Sequence, residues 1–308
     1  MKQRKYQMLT ILGPTASGKT TVAAHAAKLL DGEIISADSR QIYRGMDLGT
    51  GKDYEDYEID GKQIPYHLID IADAGFEYNV YLFHNDFLRA YQDITKRGKL
   101  PVLCGGSGLY IEAVLNNYQL IQVPKNQELR AELDPKTLDE LVEVLKEIKP
   151  ELHNSTDIEN RRRVIRAIEI EIYLKNHPDL SNDMPEINSL IVGVKYDRDH
   201  RRKRITERLK QRLEDGMLDE VQRLLDQGLT PEQLTYYGLE YKYLTLHLIG
   251  ELSYDEMFTK LEIAIHQFAK RQMTWFRRME KHGTPIHWLD GFMPLEEKMA
   301  QIKQLLAD

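Results

Sequence analysis

The stretch "GPTASGKT", Gly13 to Thr20, sets two glycines, a lysine and a threonine at the G-x-x-x-x-G-K-[ST] spacing. An apolar run precedes it and a helical pattern follows. A loop in that setting turns successive backbone N–H groups inward as an anion nest. The helix behind it adds unsatisfied N–H groups and a partial positive charge. Lys19 brings a full charge to the outer phosphate, and the Thr20 hydroxyl is placed to ligate Mg2+. Gly13, Pro14, Thr15, Ala16, Ser17, Gly18, Lys19 and Thr20 are therefore the predicted phosphate-binding residues. The motif specifies a di- or triphosphate with a divalent metal. It does not specify a nucleotide.

Two further places carry chemistry. Asp38 ends the run "GEIISAD", and ligands of open α/β sheets bind beyond the carboxyl ends of the strands, where the loop also points. Its carboxylate could serve as general base, metal ligand or helix N-cap. Asp70 in "LIDI" competes with it as a metal-associated acid, and spacing does not choose between them. In "CGGSGLY", Gly105, Gly106 and Gly108 let the backbone pass close to a ligand. Ser107 there offers a hydroxyl at a helix start, for a ligand or as an N-cap.

Basic residues gather in "NRRRVIR" (160–166), "YDRDHRRKRITERLKQR" (196–212) and "KRQMTWFRR" (270–278). In the first, Val164, Ile165, Ile168 and Ile172 face a core at helical spacing, with Arg162 and Arg166 on another side. A single charge run reads as a solvated helix face. Three of them, one interleaving Lys270, Arg271, Arg277 and Arg278 with Trp275 and Phe276, point to RNA phosphates and base stacking. Trp275 at helical spacing reads as packed core ahead of stacking platform. The histidines show no metal-ligand spacing.

These residues need a scaffold. The 308 residues carry a net charge of −7, which argues against nucleic acid only until local patches are considered. The single cysteine, Cys104, supports neither an internal disulfide nor a Cys-rich zinc site, and it reads as a small buried hydrophobe. No apolar run approaches a membrane span, and "MKQRKYQ" lacks a signal-peptide apolar region, so a soluble cytoplasmic protein is expected. Short apolar runs at 8–13, 32–38, 66–71, 100–106 and 189–196 predict strands, with 285–290 a further strand or a terminal cap. Helices are predicted near 18–30, 80–97, 107–116, 200–228 and 254–280. This alternation is the mark of a parallel sheet covered by helices. Residues 119–185 break it with helical spacing alone, so the expected organisation is an α/β core, 1–118 and 186–308, with a helical insertion.

In order along the chain, "GPTASGKT", "ISADSRQIYRGMDLGTGK", "YHLIDI", "GGSGLYI", "NRRRVIRAIEI" and "FAKRQMTWFR" resemble the bacterial tRNA dimethylallyltransferase family, from about residue 8 to 290. The resemblance implies an α/β P-loop NTPase-like parallel-sheet core with an inserted all-helical domain that helps to hold tRNA. It implies that the loop grips the diphosphate of dimethylallyl diphosphate with Mg2+. The dimethylallyl group would pass to N6 of adenosine 37, turned out of the tRNA anticodon loop. The carried-over catalytic residues are Asp38 as base, Lys19, Thr20, Arg208 in "RLKQRLEDG" against the diphosphate, and Ser107, where the family usually has threonine. The implied tRNA contacts are Asp38, Ser39, Arg40, Gln41, Ser107, Arg162, Arg163, Arg166, Lys242, Lys270, Arg271, Gln272, Trp275 and Arg277. Family members generally act as monomers. Two positions depart from the pattern: Glu240 stands for a glycine and His266 for an arginine, both in tRNA-facing regions. The rival readings are an isopentenyltransferase of free adenine nucleotides, a P-loop small-molecule kinase, and a non-catalytic RNA-binding protein.

Overall fold

Continuous apolar runs, rather than alternating ones, build strands that are buried on both faces. The computed structural model describes residues 5–118, 120–149, 158, 160–180 and 184–307. The chain opens with β1 (Met8–Leu12), α1 (Lys19–Leu30), β2 (Gly32–Ser36), a small hairpin of β3 (Glu58–Ile59) and β4 (Lys62–Gln63), and β5 (Tyr66–His67). It continues through α2 (Val80–Lys96), β6 (Leu100–Gly105) and α3 (Gly108–Leu115). After α4 (Gln127–Leu133), α5 (Leu138–Ile148) and α6 (Arg161–Asn176) it returns as β7 (Ser189–Lys195). Then follow α7 (Arg198–Glu214), α8 (Met217–Asp226), α9 (Pro231–Tyr236), α10 (Leu239–Leu248), α11 (Tyr254–Lys281), β8 (His287–Asp290) and α12 (Leu295–Ala307).

Six strands form one parallel sheet in the order β5-β2-β6-β1-β7-β8. β1 is fully buried at its centre, with Leu12 opposite Gly105 of β6 on one side and Gly193 of β7 on the other. The α1 face Val22, Ala23, Ala26 and Ala27 packs with Leu9, Ile11, Ile34, Val102 and Val192. Cys104 is a buried free thiol in that cluster, its pKa pushed up to about 12 by burial. The 285–290 run is an edge strand, pairing Val192 with His287. Two predicted elements differ. The run 66–71 stops pairing early, because Leu68 and Asp70 take left-handed backbone conformations that end an extended strand. The predicted helix over 200–228 is two helices, broken at Gly216, whose φ of 97° no L side chain adopts readily. Among the described residues, no helix is long and apolar enough to cross a membrane.

The compact unit formed by the segments up to Tyr118 and from Pro185 onward holds this sheet. Residues Gln119–Met184 form a second unit. The second unit has its own core of Leu133, Leu141, Leu145, Val164 and Ile168, with Ile165 and Ile172 packed against it. Local signals set its helix starts: Thr137 and Glu140 make a capping box, and the Asn160 side chain accepts from the N–H groups of Arg162 and Arg163.

Its one buried carboxylate among the described residues is Glu169, which accepts from Arg130 Nε at 2.6 Å, Asn126 N at 2.9 Å and Arg166 at 3.1 Å. Burial pushes this carboxyl up, but those hydrogen bonds outweigh it and hold its pKa at about 2. A depressed carboxylate pKa contributes stability that is present above its unfolded value near 4.5 and is lost as pH falls through about 2. Glu169→Gln should therefore cost on the order of 2 kcal/mol at neutral pH. Denaturant unfolding of the two proteins should converge between pH 5 and 2. A gap that stays constant with pH would show that the carboxylate's charge does not matter.

Candidate active site

The carboxyl ends of β1 and β2 open on one cleft of about 750 Å3. It is lined by the loop Thr15–Thr21, by Asp38, Arg40 and Gln41, by one face of α7, by Gly238–Glu240 and by Phe268 and Arg271 of α11. The phosphate loop leaves β1 at Gly13, where a Cβ would lie 2.5 Å from the Val194 carbonyl oxygen, so only glycine fits. Two distant side chains pin the loop. Gln272 accepts from the Thr15 N–H at 2.8 Å and donates to the Gly106 carbonyl at 2.9 Å, and Arg204 Nε donates to the Ala16 carbonyl at 3.0 Å. Gln272, expected at a tRNA contact, is 7 % exposed with both ends of its amide committed inside the protein. It positions the loop.

Lys19 starts α1 inside this cleft. Burial pulls its ammonium pKa below the ordinary value, with Asp38 among the groups that oppose this. An arriving diphosphate would supply the missing countercharge. Arg208 stands on the α7 face of the cleft, where it donates to Asp53 at 2.7 Å; Arg212, one turn on, donates to the other Asp53 oxygen at 2.8 Å. Burial, then the neighbouring Arg212, lowers the Arg208 pKa. Burial alone would raise the Asp53 carboxyl, but the two arginines outweigh it and hold it below the usual range. Asp53 and Arg212 escaped sequence reasoning. The i, i+4 spacing of Arg208 and Arg212 was the available signal. Glu240 lines the same cleft, and burial pushes its carboxyl pKa up.

The loop that delivers Asp53 is shaped by another carboxylate the sequence did not flag. Buried Glu220 accepts from the N–H groups of Asp47, Leu48 and Gly49 at 2.9, 2.8 and 3.1 Å, and from the Tyr241 hydroxyl at 2.6 Å. Four donors satisfy a buried charge that would otherwise be costly.

The two competing aspartates separate cleanly. Asp38 lines the cleft; its Oδ1 accepts from the Arg40 N–H at 3.0 Å, and Oδ2 has no hydrogen-bond donor among the described residues. Asp70 pairs with buried Lys52 and accepts from the Tyr54 hydroxyl, so both its oxygens are committed. Ser107 makes no cap with its side chain. Its hydroxyl accepts from the Ser39 N–H at 3.1 Å and lies 3.4 Å from the Ser39 hydroxyl, tying α3 to the turn that carries Asp38. The glycines beside it make room for protein rather than ligand. Cβ atoms at Gly105, Gly106 and Gly108 would strike Ala37, Gln272 and Trp275 at 2.3, 2.5 and 2.4 Å.

The IPP transferase family model matches residues 41–279. The chain is 61% identical to tRNA dimethylallyltransferase 2 of Bacteroides fragilis over 308 residues, spanning 100% of both. It belongs to the IPP transferase family. The solved tRNA isopentenylpyrophosphate transferase of Bacillus halodurans is 34% identical, with a TM-score of 0.72 over 98% of this chain and 96% of that one. The tRNA delta(2)-isopentenylpyrophosphate transferase of Staphylococcus epidermidis is 32% identical, with a TM-score of 0.69 over 97% and 98%. The family model begins at Gln41, after the phosphate loop and Asp38, and the full-length Bacteroides relative spans that part.

Within this IPP transferase the expected tRNA contacts fall in several environments. Asp38, Arg40, Gln41, Lys242 and Arg271 line the cleft. Gln41 is also a brace, accepting from Ser36 and donating to the Gly51 carbonyl, each at 3.0 Å. Lys270 and Arg277 line a second cleft. Arg162 and Arg163 are exposed on α6. Arg166, expected beside Arg162 as a phosphate contact, instead donates to Glu169 at 3.1 Å and to the Val123 carbonyl at 2.6 Å. Trp275 packs over Gly108 with the Arg278 guanidinium 4.1 Å from its ring centroid, and Arg278 pairs with Glu112 at 2.6 Å. That is a packing role, as its helical spacing predicts.

Proposed function

We propose that this protein transfers the dimethylallyl group of dimethylallyl diphosphate to N6 of adenosine 37 in tRNA, releasing diphosphate. The observation that carries the reading is one cleft lined by a phosphate loop and by Asp38, one of whose oxygens has no hydrogen-bond donor among the described residues, with Arg208 in the same lining and bonded to Asp53. Adenine N6 is a poor nucleophile, because its lone pair is delocalised into the ring. In the proposed step N6 attacks the allylic carbon and Asp38 accepts the amino proton. The carbon–oxygen bond breaks, and its electron pair leaves with the diphosphate. Negative charge grows on the leaving group as the allyl group gains positive character. The loop N–H groups, Lys19 and Arg208 therefore hold the transition state more strongly than the bound substrate.

Mg2+ fits the donors present. The cleft offers the Thr20 hydroxyl and the Asp56 carboxylate, while both Asp53 oxygens are held by Arg208 and Arg212, and no cluster of three or more metal-ligating side chains exists among the described residues. Such a sparse set suits an ion that shares its shell with a diphosphate and water. When bound, it would neutralise phosphate charge. We read the protein as a monomer working on the anticodon loop in the cytoplasm, with Asp38 and Arg40 meeting the extruded base, since a base inside a stack is out of reach.

The test is incubation with radiolabelled dimethylallyl diphosphate and unmodified tRNA, followed by nucleoside analysis. Label in N6-dimethylallyladenosine from tRNA, with AMP a poor acceptor, is the expected result. Efficient labelling of AMP without tRNA would replace this reading with the free-nucleotide one.

A further inference from the structure

Arg208 and Arg212 stand one turn apart on α7, and both line the catalytic cleft with Asp53. Two guanidinium groups at that spacing repel, and after burial the Arg212 charge is what most lowers the Arg208 pKa. One carboxylate bridges them: Asp53 Oδ2 accepts from Arg208 Nη2 at 2.7 Å, and Oδ1 from Arg212 Nη2 at 2.8 Å. Among the described residues neither arginine makes any other hydrogen bond, so Arg208 keeps its Nε and Nη1 donors for a ligand. Glu240, the other acid that both arginines feel, bonds neither of them. The chain is built to bring Asp53 there. Gly51 has a left-handed φ of 76°, and a Cβ on it would lie 2.7 Å from a nitrogen of each guanidinium, so bare backbone packs against both. Gln41 holds the Gly51 carbonyl at 3.0 Å. Buried Lys52 donates to the Tyr43 carbonyl and pairs with Asp47 and Asp70. Asp53 thus follows directly on two anchored residues.

We propose that Asp53 and Arg212 are positioning residues for the diphosphate: Arg212 anchors the Asp53 carboxylate, and that carboxylate fixes one corner of the Arg208 guanidinium, leaving its other donors available to the cleft. The inference rests on the function proposed above. A long side chain must give up its rotamer freedom when it grips a phosphate. Holding Arg208 beforehand moves that cost from binding to folding. Its remaining donors then meet the charge growing on the leaving group in a fixed geometry, where electrostatic stabilisation is most effective. Arg212 has a second part in this. Two guanidinium charges against one carboxylate leave a net positive charge for the diphosphate, whereas an Asp53–Arg208 pair alone would leave none.

The test is a double-mutant cycle. Asp53→Asn keeps one accepting oxygen but turns an NH2 group on the other guanidinium, so the bridge is lost with little change in size. Its kcat/KM for dimethylallyl diphosphate should fall about 10- to 50-fold, with tRNA affinity unchanged. In an Arg208→Ala background the same substitution should change kcat/KM by no more than about twofold, because Asp53 acts through Arg208. A residue that merely supported the fold would cost about as much in that background as in the unaltered protein. Arg212→Gln should lower kcat/KM by about 5- to 20-fold, and Arg212→Lys should recover most of it by restoring a charge that holds Asp53. Should Asp53→Asn misfold, the cycle of Arg212→Gln with Arg208→Ala carries the same test. Losses that multiply in the double variants overturn the proposal. So does tighter binding of dimethylallyl diphosphate by Asp53→Asn, which would make Asp53 a competitor of the diphosphate. A raised Mg2+ requirement that persists without Arg208 also overturns it, by making Asp53 a metal ligand. The two proposals fail separately. If the unaltered protein labels no tRNA, yet Asp53→Asn weakens binding of inorganic diphosphate only while Arg208 is present, the function falls and the positioning stands. If it labels tRNA and Asp53→Asn keeps its kcat/KM within about twofold, the positioning alone falls.

Discussion

Asp38→Asn should lower kcat on tRNA by roughly two to four orders of magnitude, the span expected when a positioned general base is lost. Asparagine is the discriminating change. It keeps an oxygen to accept from the Arg40 N–H, the 3.0 Å bond that shapes the turn, but it cannot take a proton from N6. Asp38→Ala removes turn and base together, so the two variants should lose similar amounts if the proton transfer is what matters. Dimethylallyl diphosphate should bind both about as well as the unaltered protein, since the diphosphate contacts proposed above lie on the loop and α7. Near-normal turnover in Asp38→Asn, with a loss only in the alanine variant, would make Asp38 a turn-former. The mechanism would then need another base.

Arg208→Ala should lower kcat/KM for dimethylallyl diphosphate by about 100- to 1,000-fold, the usual consequence of removing one donor to a developing negative charge in a desolvated site. Affinity for tRNA, measured separately, should hold. Arg212 cannot stand in, because it bonds the second oxygen of Asp53 and would keep that partner after Arg208 is gone. Lysine at 208 should rescue poorly: a point charge does not reproduce the planar fork. Lys19→Ala should show the same split between diphosphate and tRNA. A loss confined to tRNA binding would move Arg208 from the diphosphate to the RNA.

What the sequence determined by itself was whatever depends on near neighbours. The phosphate loop, its strand and its helix occupy a short stretch, and their chemistry follows from spacing. The helical character of 119–185 and the inward face of α6 follow from periodicity, because burying Val164 and Ile168 is decided along one helix. Tertiary structure alone decided which polar groups remain available. Asp38 and Asp70 look alike in sequence, each following an apolar strand. Asp70 is taken by Lys52, 18 residues earlier, and Asp38 is left with an open oxygen. The Ser107 hydroxyl goes to Ser39 across 68 residues, and Gln272 to Thr15 across 257. Lys270 and Arg271 are adjacent in the chain, yet they line different clefts, because about 100° of helix separates them. A side chain's type and spacing state what it can do. A buried polar group must find a partner, and whether it finds one inside the protein or waits for a ligand is settled only when distant segments close on each other.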